Sequence, residues 1–526
     1  MIFLVKENRI FINVDSKTRP INPRIYSGFI EHLGECIHNG IWAYDPVNVP
    51  LVEDIPLLKG IWGDGMRKDV LEAFKKLKPS VLRAFGGCYS DVYHWKDAIG
   101  PKNSRKKVHN EFWHTREKFL VEGVGPDIDN QFGTDEFLTF CEVIGAEPYL
   151  NVNYGSGTPK EASEWVEYCN GSIDTEYGSI RVQNGRREPY DVKIWGIANE
   201  IYGFWEVGYE KNPEDYARKY LEFAKKMREK DNTIKLVACG WENSEWNRTI
   251  LSHIGEDWVD YLSIHRYFPY VVSVTSRKNH PDNQRCYQAV MASKPLIEDY
   301  IDDTWNDITS ALGKDTHVRI SFDEWGMWYM TKDMVKSNYN LQDGIWAALV
   351  LQVFQKKADL CPMANNSEMV NVFGAIQTNK DGIILTPVYL AFKLFVDHMQ
   401  NNYIEDVKVD CLTYDSKKYG RIPDSKQVPY IECCANIDND GDNLSIMLIN
   451  THISNDIKVN LEIKGFLPQK IGKMISLRSD SPFDYNTIDH RNKIELTEKN
   501  INKLNSIISL ELPAHSICVL KLTKNK

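Results

Sequence analysis

Two glutamates, Glu200 and Glu324, each stand at the end of a short apolar run of the kind that forms a buried strand. The runs begin at Val192 and Val318 and are rich in β-branched and aromatic side chains. Buried strands that end in an acid are typical of barrels, in which catalytic groups lie at the C-terminal strand ends. A pair of facing carboxylates can hydrolyse a glycosidic bond, one acting as proton donor and the other as nucleophile or base.

A structural role is the alternative for each glutamate taken alone. Asn199 stands directly before Glu200, and an Asn-Glu pair after a strand can cap the helix that follows. Two such strand ends in one chain, both with aromatic neighbours, favour the chemical role over the capping role.

The alternation of strand-like runs with helical periodicity predicts how these acids are positioned. Helical spacing is clear at residues 68–77. Eight strands alternating with helices predict an α/β fold, a (β/α)8 TIM barrel spanning residues 25–396. The predicted strands are 25–31, 81–85, 147–152, 192–199, 235–239, 259–265, 318–322 and 358–363.

The pattern changes after residue 396. Short strands separated by turn-rich pieces predict a C-terminal β-sandwich, jelly-roll-like, over residues 397–526. Residues 1–24 contain one or two strands outside the barrel count, and we expect them to join the sandwich. No low-complexity linker separates the domains, so we expect them to pack firmly. The predicted sandwich strands are 407–412, 430–435, 444–450, 457–463 and 516–522.

The composition is that of a globular protein, with 42% hydrophobic and 26% charged residues. A net charge of −10 without a basic run argues against binding to nucleic acid or to an anionic membrane. The start of the chain lacks the features of a signal peptide, and no apolar stretch is long enough to span a bilayer, so we expect a cytoplasmic protein. Eleven cysteines without CxxC spacing predict reduced thiols and no zinc site.

The predicted strand ends are rich in polar and aromatic side chains. A sugar ring has an apolar face and a rim of hydroxyls, so aromatic walls with a few polar groups suit it. The residues at these ends are Phe29, Glu31, His32, Arg83, Cys88, Asn199, Glu200, His265, Arg266, Tyr267, Glu324, Trp325 and Trp328.

Several runs resemble glycoside hydrolase family 51, whose best-known members are α-L-arabinofuranosidases. They are GFIEHLG at 28–34, YHW at 93–95 with IGP at 99–101, FGTDEF at 132–137, WVEYCNG at 165–171, GIANE at 196–200 and FDEW at 322–325. The resemblance covers about residues 25–400. It implies a barrel with the acid/base after strand four and the nucleophile after strand seven, which are the strand ends where the count from the sequence puts Glu200 and Glu324.

The resemblance implies that Glu200 is the general acid/base and Glu324 the nucleophile of a retaining double displacement, with the carboxyl groups roughly 5 Å apart. Asn199 would bond the sugar 2-hydroxyl. We expect the charge of Glu324 to raise the pKa of Glu200.

Glu31, His265 and Tyr267 match family positions around the sugar and the nucleophile. A satisfied core histidine and a packing tyrosine are the structural alternatives for His265 and Tyr267, and their strand-end location favours a site role. Four aromatic residues are either subsite walls or packing, with Trp328 the best wall candidate; the others are Phe29, Trp113 and Trp325.

Two residues depart from the family pattern in the predicted pocket. Cys88 follows Arg83-Ala84-Phe85-Gly86-Gly87 where the family usually has Asn, although one branch also carries Cys, and an amide is lost. Glu368 stands where Gln is common. A third acid would perturb the titration of the pair or accept a sugar hydroxyl, unless it points into solvent. Both departures leave the preferred sugar open.

The sequence therefore predicts a retaining, exo-acting α-L-arabinofuranosidase that releases terminal arabinofuranosyl groups from oligosaccharides without a metal or cofactor. One alternative is another specificity on the same machinery: β-xylosidase, galactofuranosidase or endo-glucanase. Another is a non-catalytic carbohydrate-binding barrel, against which the presence of Glu200, Glu324 and Asn199 counts. The resemblance also suggests a homo-oligomer, often a hexamer.

Overall fold

The computed structural model describes residues 8–43, 65–113, 127–272, 283–330 and 339–525. The helices of these ranges are α1 (Lys68–Leu77), α2 (Thr134–Ile144), α3 (Pro159–Asn170), α4 (Glu176–Gln183), α5 (Pro213–Lys230), α6 (Ser244–Ile254), α7 (Gln284–Met291), α8 (Lys294–Leu312), α9 (Leu341–Lys356) and α10 (Pro387–His398). Within the same ranges, we find no helix with the length and apolarity needed to cross a bilayer.

The strands in the first part of the chain are β1 (Asn8–Asn13), β2 (Thr18–Pro20), β3 (Ser27–Phe29), β4 (Val81–Ala84), β5 (Val108–His109), β6 (Asp127–Ile128), β7 (Glu147–Val152), β8 (Ile194–Ile197), β9 (Lys235–Cys239), β10 (Tyr261–Val272), β11 (Arg319–Met330) and β12 (Met363–Asn366). The later strands are β13 (Ile376–Asn379), β14 (Gly382–Leu385), β15 (Asn402–Ile404), β16 (Val407–Asp410), β17 (Thr413–Ser416), β18 (Ser425–Pro429), β19 (Ile431–Ile437), β20 (Asn443–Asn450), β21 (Ile457–Lys464), β22 (Ile471–Leu477), β23 (Leu496–Asn502), β24 (Ile507–Leu512) and β25 (Ser516–Thr523).

Eight strands close into a barrel in the order β3-β4-β7-β8-β9-β10-β11-β12, with β12 pairing back onto β3. Every neighbouring pair is parallel, and the helices alternate with the strands along the chain. Helix α5 shows the sequence logic, because Tyr216, Tyr220, Phe223 and Met227 recur at helical spacing and are buried. The predicted (β/α)8 barrel is confirmed.

The predicted barrel strands agree with the observed ones to different degrees. Residues 147–152 and 235–239 are strands as predicted, and residues 68–77 form the predicted helix. The sixth and seventh strands continue beyond the predicted ends, to Val272 and Met330. The eighth, predicted at 358–363, is wrong, because α9 ends in a turn there and the strand is Met363–Asn366. This strand ends in Asn365 and Asn366, whose side-chain amides donate to Gly28 O and Trp325 O at 3.0 Å. Because these residues are polar, the strand lacks the apolar pattern from which the other barrel strands are predicted.

The C-terminal β-rich region contains two larger sheets. One has the order β16-β1-β21-β24 and the other β2-β15-β19-β20-β25-β22-β23. Strand β1 pairs with β16 and β21, and β2 pairs with β15, so strands from both ends of the chain share these sheets. These pairings support domain boundaries after residues 24 and 396, which we propose. Residues 1–7 of the predicted N-terminal segment lie outside the described residues.

The middle of the seven-stranded sheet, at β20 and β25, is buried on both faces. In β20, Ile446 and Leu448 join the core between the two sheets, whereas Met447 and Ile449 join the core of the barrel. The alternation follows from the two-residue period of a strand, and it explains why β20 is apolar almost throughout. The sheet therefore connects the two cores.

We expect the barrel and the sandwich to unfold together, because they share this sheet. Ile446→Ala and Ile449→Ala remove buried side chains from opposite faces of β20, and each should lower the free energy of unfolding by about 2–5 kcal/mol. Calorimetry should show one transition that both variants shift to lower temperature. Two transitions, each shifted by only one variant, would contradict this coupling.

Candidate active site

A buried arginine lies at the centre of the C-terminal end of the barrel. Arg83 is 1% exposed, and its guanidinium donates from Nη1 to Glu324 Oε1 and from Nη2 to Asn199 Oδ1, both at 2.8 Å. Its Nε lies 3.7 Å from Asp323 Oδ2. Burial alone would lower the pKa of Arg83, but the negative charges beside it, Asp323 foremost, outweigh burial and raise the pKa.

Strand β11 delivers two consecutive carboxylates to this arginine. Successive side chains of a regular strand point to opposite faces, so Asp323 and Glu324 should diverge. The register of β11 shifts against β10 between Ser263 and His265, and it also shifts against β12. Such irregularities re-aim side chains, and both acids are buried beside Arg83 as a result.

The end of β8 has an unusual backbone. Ala198 and Glu200 adopt left-handed conformations with φ of 80° and 44°, on either side of Asn199. Left-handed backbone is unfavourable for residues with a Cβ and is concentrated at functional sites. This turn allows the side chains of Asn199 and Glu200 to reach Arg83 and His265, respectively.

Glu200 and Glu324 lie together, with one carboxylate oxygen of each and a ring nitrogen of His265 within 4.8 Å of one another. His265 Nδ1 is 2.9 Å from Glu200 Oε1 and 3.4 Å from Glu324 Oε2. The second oxygen of Glu200 accepts the indole N–H of Trp205 at 3.2 Å, and Tyr267 donates to Glu324 Oε2 at 2.8 Å. Both carboxylates are therefore held by donors on each oxygen.

His265 controls the protonation of this group. Burial lowers its pKa, but the charge of Glu324 and hydrogen bonding to Asp323 and Glu200 raise it to about 10, so the ring is an imidazolium. Burial raises the pKa of Glu200, but its hydrogen bond to His265 and the positive charge of that ring bring it below the ordinary value. The predicted rise in the pKa of Glu200 is therefore wrong, because the positive ring of His265, and not the charge of Glu324, has the larger effect on its carboxylate.

The carboxyl groups of Asp323 and Glu324 respond in opposite ways. Burial raises the pKa of each, and Arg83 and His265 lower it again. For Asp323 the two cations prevail and the pKa falls to about 2. For Glu324 burial, supported by the negative charge of Glu200, outweighs the two cations and keeps the pKa above its ordinary value.

Glu31 and Glu368 form a second acidic pair in the pocket. Glu31 Oε1 accepts the backbone N–H of Tyr89 at 2.8 Å and the indole N–H of Trp113 at 3.1 Å, while burial raises its pKa to about 8. Glu368 is 1% exposed, so the alternative that it points into solvent is wrong. Burial, followed by the charge of Glu31, raises the pKa of Glu368, and the two side chains share a hydrogen bond.

Gly86 and Gly87, which precede Cys88, allow the carboxylates of Glu31 and Glu324 to lie close to the backbone. A Cβ on Gly87 would lie 2.8 Å from Glu31 Oε2 and 3.3 Å from Glu324 Oε1. The thiol of Cys88 accepts the Asn199 Nδ2–H at 3.8 Å. This segment therefore tolerates little side-chain volume beside the carboxylates.

Trp328 supplies an aromatic side of the site. Its half-buried ring lies 5.0–5.1 Å from three other rings, those of Tyr267, Tyr270 and Phe373. The other aromatic candidates have packing contacts. Trp325 is buried among Trp346, Phe354 and Phe392; Phe29 lies under the Arg83 guanidinium at 5.3 Å; and Trp113 binds Glu31.

Sequence reasoning gave no site role to several residues that complete these contacts. Asp323 is hydrogen-bonded by Tyr149 at 2.7 Å and Ser263 at 2.5 Å. The position of Asp323 directly before Glu324 could have indicated a site role. Nothing in the sequence, however, indicates the register shift that turns its side chain inward. The other unassigned residues are Asn151, Trp205, Glu206 and Ser367, the last of which bonds Tyr267.

Two sets of side chains have the composition and proximity of metal ligands. They are Glu200, His265 and Glu324, and Cys88, Glu200 and Glu206. Every member of the first set makes hydrogen bonds of its own, and so does Glu200 in the second set, whose oxygens lie beside His265 and Trp205.

Two family models match the sequence. The model described as Alpha-L-arabinofuranosidase 1 domain matches residues 73–285, and the one described as Alpha-L-arabinofuranosidase C-terminal domain matches residues 323–516. Alpha-L-arabinofuranosidase C of Emericella nidulans is 34% identical over 86% of both chains. The intracellular exo-alpha-L-arabinofuranosidase of Bacteroides ovatus is 32% identical over 98% of this chain and 96% of its own.

Solved structures give the same match. The arabinose complex of the Thermotoga maritima alpha-L-arabinofuranosidase has a TM-score of 0.85 and 33% identity, covering 98% of this chain and all of its own. The GH51 enzyme of Thermotoga petrophila has a TM-score of 0.83 and 34% identity, covering 98% of this chain and 99% of its own.

We expect His265 to stay protonated in the folded protein at pH 8. Because its pKa is raised, the stability that its proton contributes is fully present below about pH 6.5 and is lost as the pH rises towards 10. NMR of protein labelled with 15N-histidine should show a charged ring at pH 8. Asp323→Asn should lower the pKa of His265 by about one unit or more, since a neighbouring charge is removed.

Asp135→Asn is the matched control, because Asp135 is equally buried on α2 and hydrogen-bonds Tyr168 and Tyr190 instead. It should leave the titration of His265 unchanged. A ring that titrates in the wild-type protein near its ordinary value would contradict the assigned charge.

Proposed function

Because the chain belongs to the α-L-arabinofuranosidases of glycoside hydrolase family 51, we propose that it removes terminal, non-reducing α-L-arabinofuranosyl groups from oligosaccharides with retention of configuration. The observation that carries the mechanism is the approach of Glu200 and Glu324, whose nearest oxygens lie within 4.8 Å. Retaining enzymes hold their carboxyl groups about 5 Å apart, whereas inverting enzymes need about 6.5–9.5 Å to admit a water molecule. The spacing supports direct attack by a carboxylate.

Glu324 is the nucleophile in this mechanism. Hydrogen bonds from Arg83 and Tyr267 hold its two oxygens, which fixes the carboxylate for attack on the anomeric carbon. Attack forms a covalent glycosyl ester, and the bond to the leaving oxygen breaks as a proton arrives. Asp323 keeps Arg83 and His265 in place.

Glu200 is the proton donor, and it shares its proton with His265. A neutral Glu200 beside a neutral imidazole has the same number of protons as a carboxylate beside an imidazolium, and the two states differ only in which atom of the 2.9 Å contact holds the proton. The raised pKa of His265 and the lowered pKa of Glu200 favour the ion pair in this structure. A bound sugar displaces water, and a drier site favours the neutral pair, in which Glu200 can protonate the leaving oxygen.

The second step reverses these roles. Once Glu324 is esterified it has no charge, so its contribution to the high pKa of His265 disappears. Glu200 then acts as base and takes a proton from the attacking water, which releases the sugar with its original configuration.

The remaining residues orient the sugar. Asn199 accepts from Arg83 through Oδ1, which leaves its Nδ2 free to turn from Cys88 to a 2-hydroxyl. Trp328 and Tyr267 provide the aromatic wall. Glu31 and Glu368 have raised pKa values, so a protonated carboxyl of this pair can donate to a ring hydroxyl as well as accept from one.

A cytoplasmic location and a homo-oligomeric assembly, such as a hexamer, are also part of this proposal. The name of the Bacteroides ovatus relative supports the location, and the family resemblance supports the assembly. A cytoplasmic enzyme would act on short imported oligosaccharides and requires no cofactor for this chemistry.

We expect Glu324→Ala to reduce kcat by about 10⁴-fold or more on every substrate, because no covalent step remains. Glu200→Ala should cost about 10²–10⁴-fold on oligosaccharides and much less on aryl glycosides with good leaving groups, which need little proton donation. Proton NMR of the first product released by the wild-type enzyme should show the α-anomer.

Glu242→Ala is the control, because Glu242 is an exposed acid near the same barrel end that pairs with Arg266. If Glu200→Ala lowers kcat equally on oligosaccharides and on aryl glycosides, Glu200 is not the general acid. A first product with inverted configuration would exclude double displacement.

Initial rates on aryl glycosides test the preferred sugar. We expect hydrolysis of α-L-arabinofuranoside to exceed that of β-D-xylopyranoside, β-D-galactofuranoside and β-D-glucopyranoside, with Glu324→Ala as the blank. Glu368→Gln keeps the shape of the side chain and removes its ability to ionise, so it should change KM for the preferred sugar more than kcat. Preference for another sugar would show that Cys88 and Glu368 have redefined the pocket.

A further inference from the structure

A buried carboxyl group beside the acid/base has no part in the mechanism above. Glu206 is 5% exposed, and the donor that the described residues place beside its carboxylate is the thiol of Cys88, which lies outside ordinary hydrogen-bond geometry. Burial, together with the charges of Asp91 and Glu200, raises its pKa, and the thiol of Cys88 acts in the opposite direction. Burying a carboxyl group beside no stronger donor than a thiol is unfavourable, so its place next to the reaction centre needs an explanation.

The surroundings of Glu206 have the geometry of a metal site. Cys88 Sγ, one oxygen of Glu200 and one oxygen of Glu206 all lie within 4.8 Å of one another. Cys88 is only half-buried, so an ion can reach it from solvent. One thiolate and two carboxylates are a ligand set that Zn²⁺ accepts, and three protein ligands leave a fourth position for water.

The charge of the pocket points in the same direction. Six buried or half-buried carboxyl groups are gathered there, and the cations that the structure describes in contact with them are Arg83 and His265. Burial disfavours the charged forms of Glu31, Glu206 and Glu368, and a divalent cation would favour ionisation of the carboxyl group that binds it. Mg²⁺ and Ca²⁺ prefer six or more oxygen ligands, so the thiol favours a softer ion. The six groups are Glu31, Glu200, Glu206, Asp323, Glu324 and Glu368.

We propose that Cys88, Glu206 and Glu200 bind a divalent cation of the zinc class, and that the bound ion blocks hydrolysis. Binding releases the thiol proton and any proton on Glu206 to solvent, and it forms one metal–sulfur and two metal–oxygen bonds. While an oxygen of Glu200 ligates the ion, this carboxylate cannot hold the proton that the leaving group needs. The three ligands follow two different barrel strands, Cys88 after β4 and Glu200 with Glu206 after β8. They are therefore far apart in the sequence, and a search for closely spaced cysteines such as CxxC could not find this site.

Metal binding can be measured without substrate. Metal-free protein titrated with Cd²⁺ or Co²⁺ should develop a near-ultraviolet thiolate-to-metal charge-transfer band that saturates at one equivalent. Cys88→Ser should lose the band. Cys433→Ser is the matched control, because Cys433 is also a half-buried cysteine but lies in the sandwich, and this variant should retain the band.

The carboxylate ligand is tested separately. Glu206→Gln should weaken binding by at least about tenfold, since changes even outside the ligand set cost about 10–100-fold. Glu242→Gln, which removes an exposed acid near the same barrel end, should bind as the wild type does. Affinity should also increase with pH, because the ion displaces protons.

Inhibition completes the test. Zn²⁺ should abolish wild-type activity and a chelator should restore it, whereas Glu206→Gln should need about tenfold more Zn²⁺, each protein being compared with its own metal-free rate. No band in the wild type, a band that persists in Cys88→Ser, or equal affinity in Glu206→Gln would overturn the site. A wild type that shows the band but hydrolyses no arabinofuranoside would refute the proposed function and leave the metal site standing.

Discussion

The structure depends on one buried cation, the guanidinium of Arg83. It contacts side chains from three other barrel strand ends, those of Asn151 on β7, Asn199 after β8 and Asp323 with Glu324 on β11. A charge without water must be paired, so these strand ends have to converge for the barrel to be stable. The same convergence brings Glu324 and Asn199 to the positions that the proposed chemistry needs. The pairing of Arg83 therefore stabilises the closed barrel and fixes the geometry of the site at the same time.

The protonation states of the carboxylates in the site depend on one another. Asp323, Glu200 and Glu324 all lie within 3.4 Å of a nitrogen of His265, so a proton gained by one group changes the others. The raised pKa of His265 and the lowered pKa of Glu200 have one cause: the proton in the hydrogen bond between them lies on the His265 ring. In the proposed mechanism this hydrogen bond is the proton source, and its proton responds to hydration, which two facing carboxylates alone would not provide.

The sequence predicted the barrel and the ends of its strands because buried parallel strands are apolar and acids at their ends interrupt the pattern. It placed Glu200 and Glu324 correctly at the fourth and seventh strands, while their catalytic roles stay predictions. It missed the polar eighth strand, Met363–Asn366, because hydrogen bonds from Asn365 and Asn366 replace apolar packing there. It also missed Asp323 and the imidazolium, since a register shift and the summed field of several acids arise only from tertiary structure.

The sandwich contributes to the site through packing. Trp325, the neighbour of Glu324, packs against Trp346 and Phe354 of α9 and against Phe392 of α10. The first backbone N–H groups of α9 donate to carbonyls of Asp484 and Pro482 in the C-terminal region, at 2.9 and 2.8 Å, and the barrel-facing side of the seven-stranded sheet shares the core of these helices. A helix that begins without partners for its N–H groups is destabilised. The C-terminal region therefore stabilises the start of α9, and α9 packs against Trp325. These contacts restrict the backbone at Glu324, the proposed nucleophile, which lies one residue earlier.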